Sequence, residues 1–131
     1  MGFVHDPDGM LGHGLPPDRK VHLLLTAEVL TWTAVTAPPA DGMDLAALEL
    51  TGHARVVREE LAQRVRQLPL GSELGELLGY TLEETARRIS VASSALGILA
   101  HVQSRARMVE GLYRSLNRLE QPPGVRLPAQ T

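Results

Sequence analysis

The chain of 131 residues has no cysteine and only four aromatic side chains, one Trp, two Tyr and one Phe. The first absence excludes disulfides, thiolate zinc sites, iron–sulfur clusters and thiol nucleophiles. The second leaves too few rings for a base-stacking surface, and it requires a core built from Leu, Val and Ala. Lysine is nearly missing as well: Lys20 stands alone among 13 basic residues, the rest being Arg. Against 15 acids the formal net charge is −2, so no global positive field draws in nucleic acid or an anionic membrane. The N-terminal stretch MGFVHDPDGMLGHG has no basic leader and no apolar run of signal length. The most apolar stretch, Val21 to Val35, is interrupted by His22 and Glu28 and is too short to span a bilayer. These features predict a cytoplasmic protein without membrane contact.

What is present is helical periodicity between Gly/Pro-rich ends. Residues 1–17 read as a flexible leader, 18–120 as a single helical domain, and 121–131 as a flexible tail. Asp18 is placed to cap a first helix over 18–36, with Val21, Leu25, Val29 and Trp32 at core spacing, ended by Ala37-Pro38-Pro39. Asp44 is placed to cap a second helix over 45–68 carrying two apolar stripes. Leu50, Ala54, Val57, Leu61, Val65 and Leu68 form one; Leu45, Leu48 and Val56 form the other, with Gly52 between them. Two faces predict a helix with neighbours on both sides, or an excess face that drives association. A third helix over 72–92 starts at Ser72. Thr81 followed by Glu84 offers a second start there, but Leu74, Leu78, Leu82, Ala86 and Ile89 hold one phase through Gly79. Helix four, 97–120, presents Leu99, Val102, Ala106, Val109, Tyr113 and Leu116. Without a turn near 93–97, residues 81–120 would make a rod of roughly 60 Å at 1.5 Å per residue, and a dimer would follow. With it, the expected fold is all-α, an antiparallel four-helix bundle with disordered ends.

The residue groups that carry chemistry elsewhere are thin here. His5, Asp6, Asp8 and His13 sit in the leader, where nothing would hold metal ligands rigidly, so no metal site is expected. Glu49, His53 and Glu60 share a polar face of helix two, but the Glu-to-His offset of four is not the three of di-iron bundles, and no second copy exists. Ser90, Ser93 and Ser94 lack a nucleophile elbow, and no phosphate loop occurs. No enzyme and no cofactor are expected.

Residues 79–102 resemble the opening of a helix-turn-helix, with Ala86, Ile89, Val91, Leu96 and Leu99 at its buried places. The segment departs from it at Ser90, where the turn glycine belongs, and at Thr85. The would-be recognition helix, Ser93 to Ala100, has no Arg, Lys, Asn or Gln to read base edges. Arg87 and Arg88, with Arg105, Arg107, Arg114 and Arg118 on the last helix, are candidate contacts for a partner protein or for nucleic acid.

Leu48-Glu49-Leu50-Thr51-Gly52-His53-Ala54 is similar to the Leu-x-Gly-His signature of a small actinomycete family labelled natural product biosynthesis proteins. Glu84-Thr85-Ala86-Arg87-Arg88 and Ala100-His101-Val102-Gln103-Ser104-Arg105-Ala106-Arg107 resemble that family's Glu-Ala-Arg stretch and closing helix. The resemblance implies a helical fold over about residues 20–120 and an association with specialised metabolism, without substrate or catalytic residues. The expected function is a non-catalytic accessory or regulatory protein working through protein–protein contacts or self-association. The alternative is a helix-turn-helix transcriptional regulator.

Overall fold

The computed structural model describes residues 18–91 and 97–120, and these form four α-helices with no strand among them. They are α1 (Arg19–Thr31), α2 (Ala40–Arg66), α3 (Glu73–Ile89) and α4 (Ile98–Glu120). The expectations for the leader 1–17, the tail 121–131 and Ser93 to Leu96 lie outside the described residues.

Each helix boundary has a local cause. Asp18 caps α1 by accepting from the Val21 amide at 3.4 Å, and the helix stops at Thr31, five residues short of the expected end. The Thr33 hydroxyl accepts from the amides of Val35 and Thr36 at 3.2 and 3.1 Å, and this local turn competes with further helix well before the prolines. Helix α2 begins at Ala40 rather than 45: Pro39 is its N-cap, so Asp44 is not a cap but lies inside the helix. Ser72 caps α3 through the Gly75 amide at 3.0 Å, and α3 runs unbroken through Gly79 and Thr81. Glu73 and Glu76 in its first turn and Arg87 and Arg88 in its last complement the helix dipole. The helix ends at Ile89, before the expected 92. Gly97 then enters α4 with φ +104°, a conformation that side-chain-bearing residues seldom adopt.

Cross-helix contacts set the directions. Arg19, at the start of α1, donates to Asn117 near the end of α4 at 2.8 Å. Gln103, near the start of α4, donates to the carbonyls of Val29 and Trp32 at the end of α1 at 3.1 and 2.9 Å. The two helices therefore run in opposite senses. Helix α3 runs back along α2, where Arg58 donates to the Leu82 carbonyl at 3.0 Å. Helices α2 and α4 share a direction, because Arg64 and Glu120, near their C-terminal ends, are 3.9 Å apart. The most extensive packing is between α2 and α4; α1 lies on α4 with a smaller contact to α2, and α3 lies on α2.

The core is aliphatic as expected, with Leu50, Leu61, Leu78, Leu112, Leu116, Val29, Val57, Val102 and Val109 fully buried and Tyr113 its one aromatic member. Two faces are rotated from the expected ones. On α1, Val21 is exposed and the buried line is His22, Thr26 and Val29. On α3, Ala86 is exposed and Thr85 is buried in its place, its hydroxyl donating to the Thr81 carbonyl at 2.8 Å. A threonine satisfied within its own helix can face a core without leaving an orphaned donor.

Candidate functional site

The rotation of α1 brings three polar rings together under the protein surface. His22 from α1 stacks on His53 from α2, with ring centroids 3.9 Å apart and planes 19° from parallel. His22 Nδ1 lies 2.6 Å from the hydroxyl of Tyr113 on α4. The Arg19 guanidinium sits 5.0 Å from the centre of the Tyr113 ring and reaches on to Asn117 and Glu120. One residue from each of α1, α2 and α4 thus meets at a single point, and α1 is fastened there to the other two helices.

Burial sets the protonation. It pushes the Tyr113 phenol up to about 12, against the opposing effect of Arg19. It pushes His22 down to about 4, helped by the neighbouring His53, while Asp18 acts the other way. His53 is also lowered by burial, although Glu49 and Asp18 pull it upward. At neutral pH the phenol therefore keeps its proton and the His22 ring is uncharged, and one short hydrogen bond joins the Tyr113 hydroxyl to His22 Nδ1. The buried Nδ1 of His53 and the Thr26 hydroxyl have no hydrogen-bond partner among the described residues. His22 and Tyr113 are almost wholly enclosed, which suits fastening rather than turnover of a substrate.

Of the polar set expected on α2, only His53 belongs to this cluster. Glu49 is exposed and acts on His53 through its charge, and Glu60 is ion-paired along α2 with Arg64 at 2.8 Å. Sequence reasoning missed the role of His22 and read Tyr113 only as a core residue. The signal was available in the offset of four between His22 and Thr26, which puts both on the face of Val29.

The six arginines do not converge on one surface. Arg87 is exposed and paired with Glu84, while Arg88 donates to Ser104 at 3.1 Å. Arg107, Arg114 and Arg118, at offsets of seven and four, share the outer face of α4, and Arg114 lies 3.5 Å from Glu110. Arg105 is not a surface contact: it is 5% exposed and donates to the carbonyls of Arg88, Ile89 and Val91 at 2.7, 3.3 and 2.6 Å. It therefore closes the C-terminal end of α3, as Gln103 closes that of α1. Of the buried places expected for a helix-turn-helix, Ala86 and Val91 are exposed, Ile89 and Leu99 are half-buried, and Leu96 lies outside the described residues.

The second apolar stripe of α2 is the other conspicuous feature. Leu45, Leu48 and Val56 are 60%, 71% and 49% exposed on the side of α2 opposite its buried face. A methyl group placed on Gly52, between them, would meet nothing within 4 Å. Among the described residues no helix is long and apolar enough to cross a membrane, and no three His, Cys, Asp or Glu side chains gather as metal ligands. The cluster His5, Asp6, Asp8 and His13 lies outside the described residues. Compared with protein-family models, with curated proteins and with solved structures, the chain finds no match.

Proposed function

We propose that this protein is a non-catalytic accessory or regulatory protein that works through a helix-face contact, and that the outward side of α2 is its contact surface. The observation that carries this reading is the exposure of Leu45, Leu48 and Val56 in one line along α2. Burying such side chains contributes about 25 cal/mol per Å² of apolar surface, so contact with another helical surface is favourable. Gly52 adds to this, because a residue without a side chain at the centre of the stripe lets another backbone approach closely. The similarity of residues 48–54 to the actinomycete family's signature covers this same stretch of α2 and sets the reading in specialised metabolism.

The test is photo-cross-linking in the native cell. A benzophenone amino acid is placed at position 45, 48 or 56, and at position 107 on the outer face of α4 as a control. A discrete adduct from the α2 positions, absent at 107 and abolished by Leu48→Glu introduced beside a probe at 45 or 56, supports the reading. Leu48 is exposed, so that substitution changes folding stability by less than about 0.5 kcal/mol. Equal labelling at all positions, or none, rejects it.

A further inference from the structure

A groove of about 370 Å³ opens where the N-terminal parts of α2 and α4 meet the end of α3, away from the His22–His53–Tyr113 cluster. Its apolar walls include Leu48, Val91 and Ile98, and its polar groups include Arg55, His101, Arg105 and a single acid, Asp44. The volume is in the range that small-molecule sites occupy.

The charge at this corner is unbalanced. Arg55, Arg88 and Arg105 stand close enough that the charges of the first two depress the guanidinium of Arg105, which burial lowers first of all. Among the described residues none of the three has a carboxylate within ion-pair distance; Arg58, Arg107 and Arg118 share that lack, but Arg105 is the one that is buried. Two guanidinium nitrogens of Arg105 are used on the α3 carbonyls, and those carbonyls supply only the partial negative charge of a helix C-terminus. The third, Nε, is enclosed and has no hydrogen-bond partner among the described residues, so what Arg105 offers the groove is its charge. A buried cation with no carboxylate beside it, and a second arginine at the rim of the same groove, is an arrangement that a bound anion completes. Leu48, Val91 and Ile98 beside it favour an anion that also carries apolar surface.

We propose that this groove binds a small organic anion, a carboxylate with an apolar tail, whose charged end is held by Arg55 and His101 over the buried charge of Arg105 and whose tail lies along Leu48, Val91 and Ile98. Arg55 is exposed and supplies charge from the rim; His101 offers a ring N–H from the first turn of α4. Leu48 belongs both to this groove and to the α2 stripe, but ligand binding is measured on the isolated chain, so its outcome does not depend on whether α2 contacts a protein.

Octanoate is the probe, titrated into the full-length protein in low-chloride buffer and followed by calorimetry and by methyl resonances of Leu48, Val91 and Ile98. The expected result is saturable one-to-one binding, with shifts confined to those methyls, and affinity at least about fivefold weaker for Arg55→Gln and for His101→Gln. Neither substitution touches the capping bonds of Arg105, so both variants should unfold at the wild-type temperature. 1-Octanol and octylamine, of the same length, should bind at least about tenfold more weakly. The proposal is overturned if octanoate gives no saturable signal, if octanol or octylamine binds as well, or if both variants bind like the wild type.

Discussion

His22 and His53 lie face to face with ring centroids 3.9 Å apart, and among the described residues only one of the two buried Nδ1 atoms, that of His22, has a partner. Two imidazoles in such contact cannot both carry charge without strong repulsion. Burial already holds both below the ordinary value of 6.5, with His22 at about 4. Asp18 and Glu49 oppose this without reversing it. Between pH 6.5 and about 4 the unfolded chain therefore binds protons that the folded chain refuses, and stability falls as pH falls through that window. Above pH 6.5 this contribution is constant. The loss is on the order of 2 kcal/mol. Urea unfolding at pH 7.5 and pH 5, followed by fluorescence of the single tryptophan, Trp32 at the end of α1, measures it directly. His53→Phe keeps a ring against His22 while removing one titrating group and its charge, and should weaken the dependence. An unchanged slope in that variant would place the titrating groups elsewhere.

The hydroxyl of Tyr113 is the only hydrogen-bond partner of His22 Nδ1 among the described residues. Tyr113→Phe removes it without opening a cavity, and it leaves a buried ring nitrogen unpaired. The expected cost is about 1–2 kcal/mol at neutral pH. The same geometry predicts that the phenol resists ionisation: with Tyr113 pushed up to about 12, the Tyr113→Phe variant should show the same absorbance at 295 nm as the wild type through pH 10.5. A difference spectrum that grows below that pH would mean that the ring is more open to solvent than its burial implies.

Most of the architecture was legible in the sequence, because it rests on a repeated pattern. Leu50, Ala54, Val57 and Leu61 keep one phase over three turns, and all four are buried. Where single residues decide, the reading failed. On α1 the apolar line Val21, Leu25, Val29 and the mixed line His22, Thr26, Val29 differ by one helical step. The choice between them depends on partners 31 and 91 residues away, His53 and Tyr113. The site is invisible to local spacing for the same reason. The early start of α2 was missed because Asp44 is a good capping residue by type, whereas Pro39 serves as N-cap with no side-chain hydrogen bond. Arg105 was counted with its exposed neighbours; one residue N-terminal to buried Ala106 and four before Val109, it lies on the inward side of α4.

The inward placement of Arg105 makes it unlike the other arginines in energetic terms. Arg105→Met keeps much of the buried stem and removes three charge-assisted bonds to the end of α3, for an expected loss of about 2–3 kcal/mol. Gln103→Ala removes the corresponding bonds at the end of α1 and should cost about 1 kcal/mol. Arg87→Ala breaks only an exposed pair with Glu84 and should change stability by less than about 0.5 kcal/mol. Thermal unfolding of the three variants under one buffer condition ranks them. Arg105→Met grouping with Arg87→Ala would show that the carbonyls of α3 are satisfied by water as readily as by the guanidinium.

Gly52 and Gly79 sit inside helices with open space where a side chain would be, and neither has a positive φ. Glycine there is unfavourable, because the unfolded chain gains freedom that an alanine would deny it. Gly52→Ala and Gly79→Ala should each stabilise the isolated protein by about 0.5–1 kcal/mol. Gly97→Ala should destabilise it, since φ there is +104°. For Gly79 the gain should come without any effect on α2 cross-linking. At Gly52 the two readouts should separate. The added methyl group lies between Leu45, Leu48 and Val56, so the variant unfolds at a higher temperature while its cross-linked adduct weakens. A Gly52→Ala protein that is more stable and cross-links undiminished would mean that no helix packs closely over position 52, and the contact on α2 would then rest on its leucines alone.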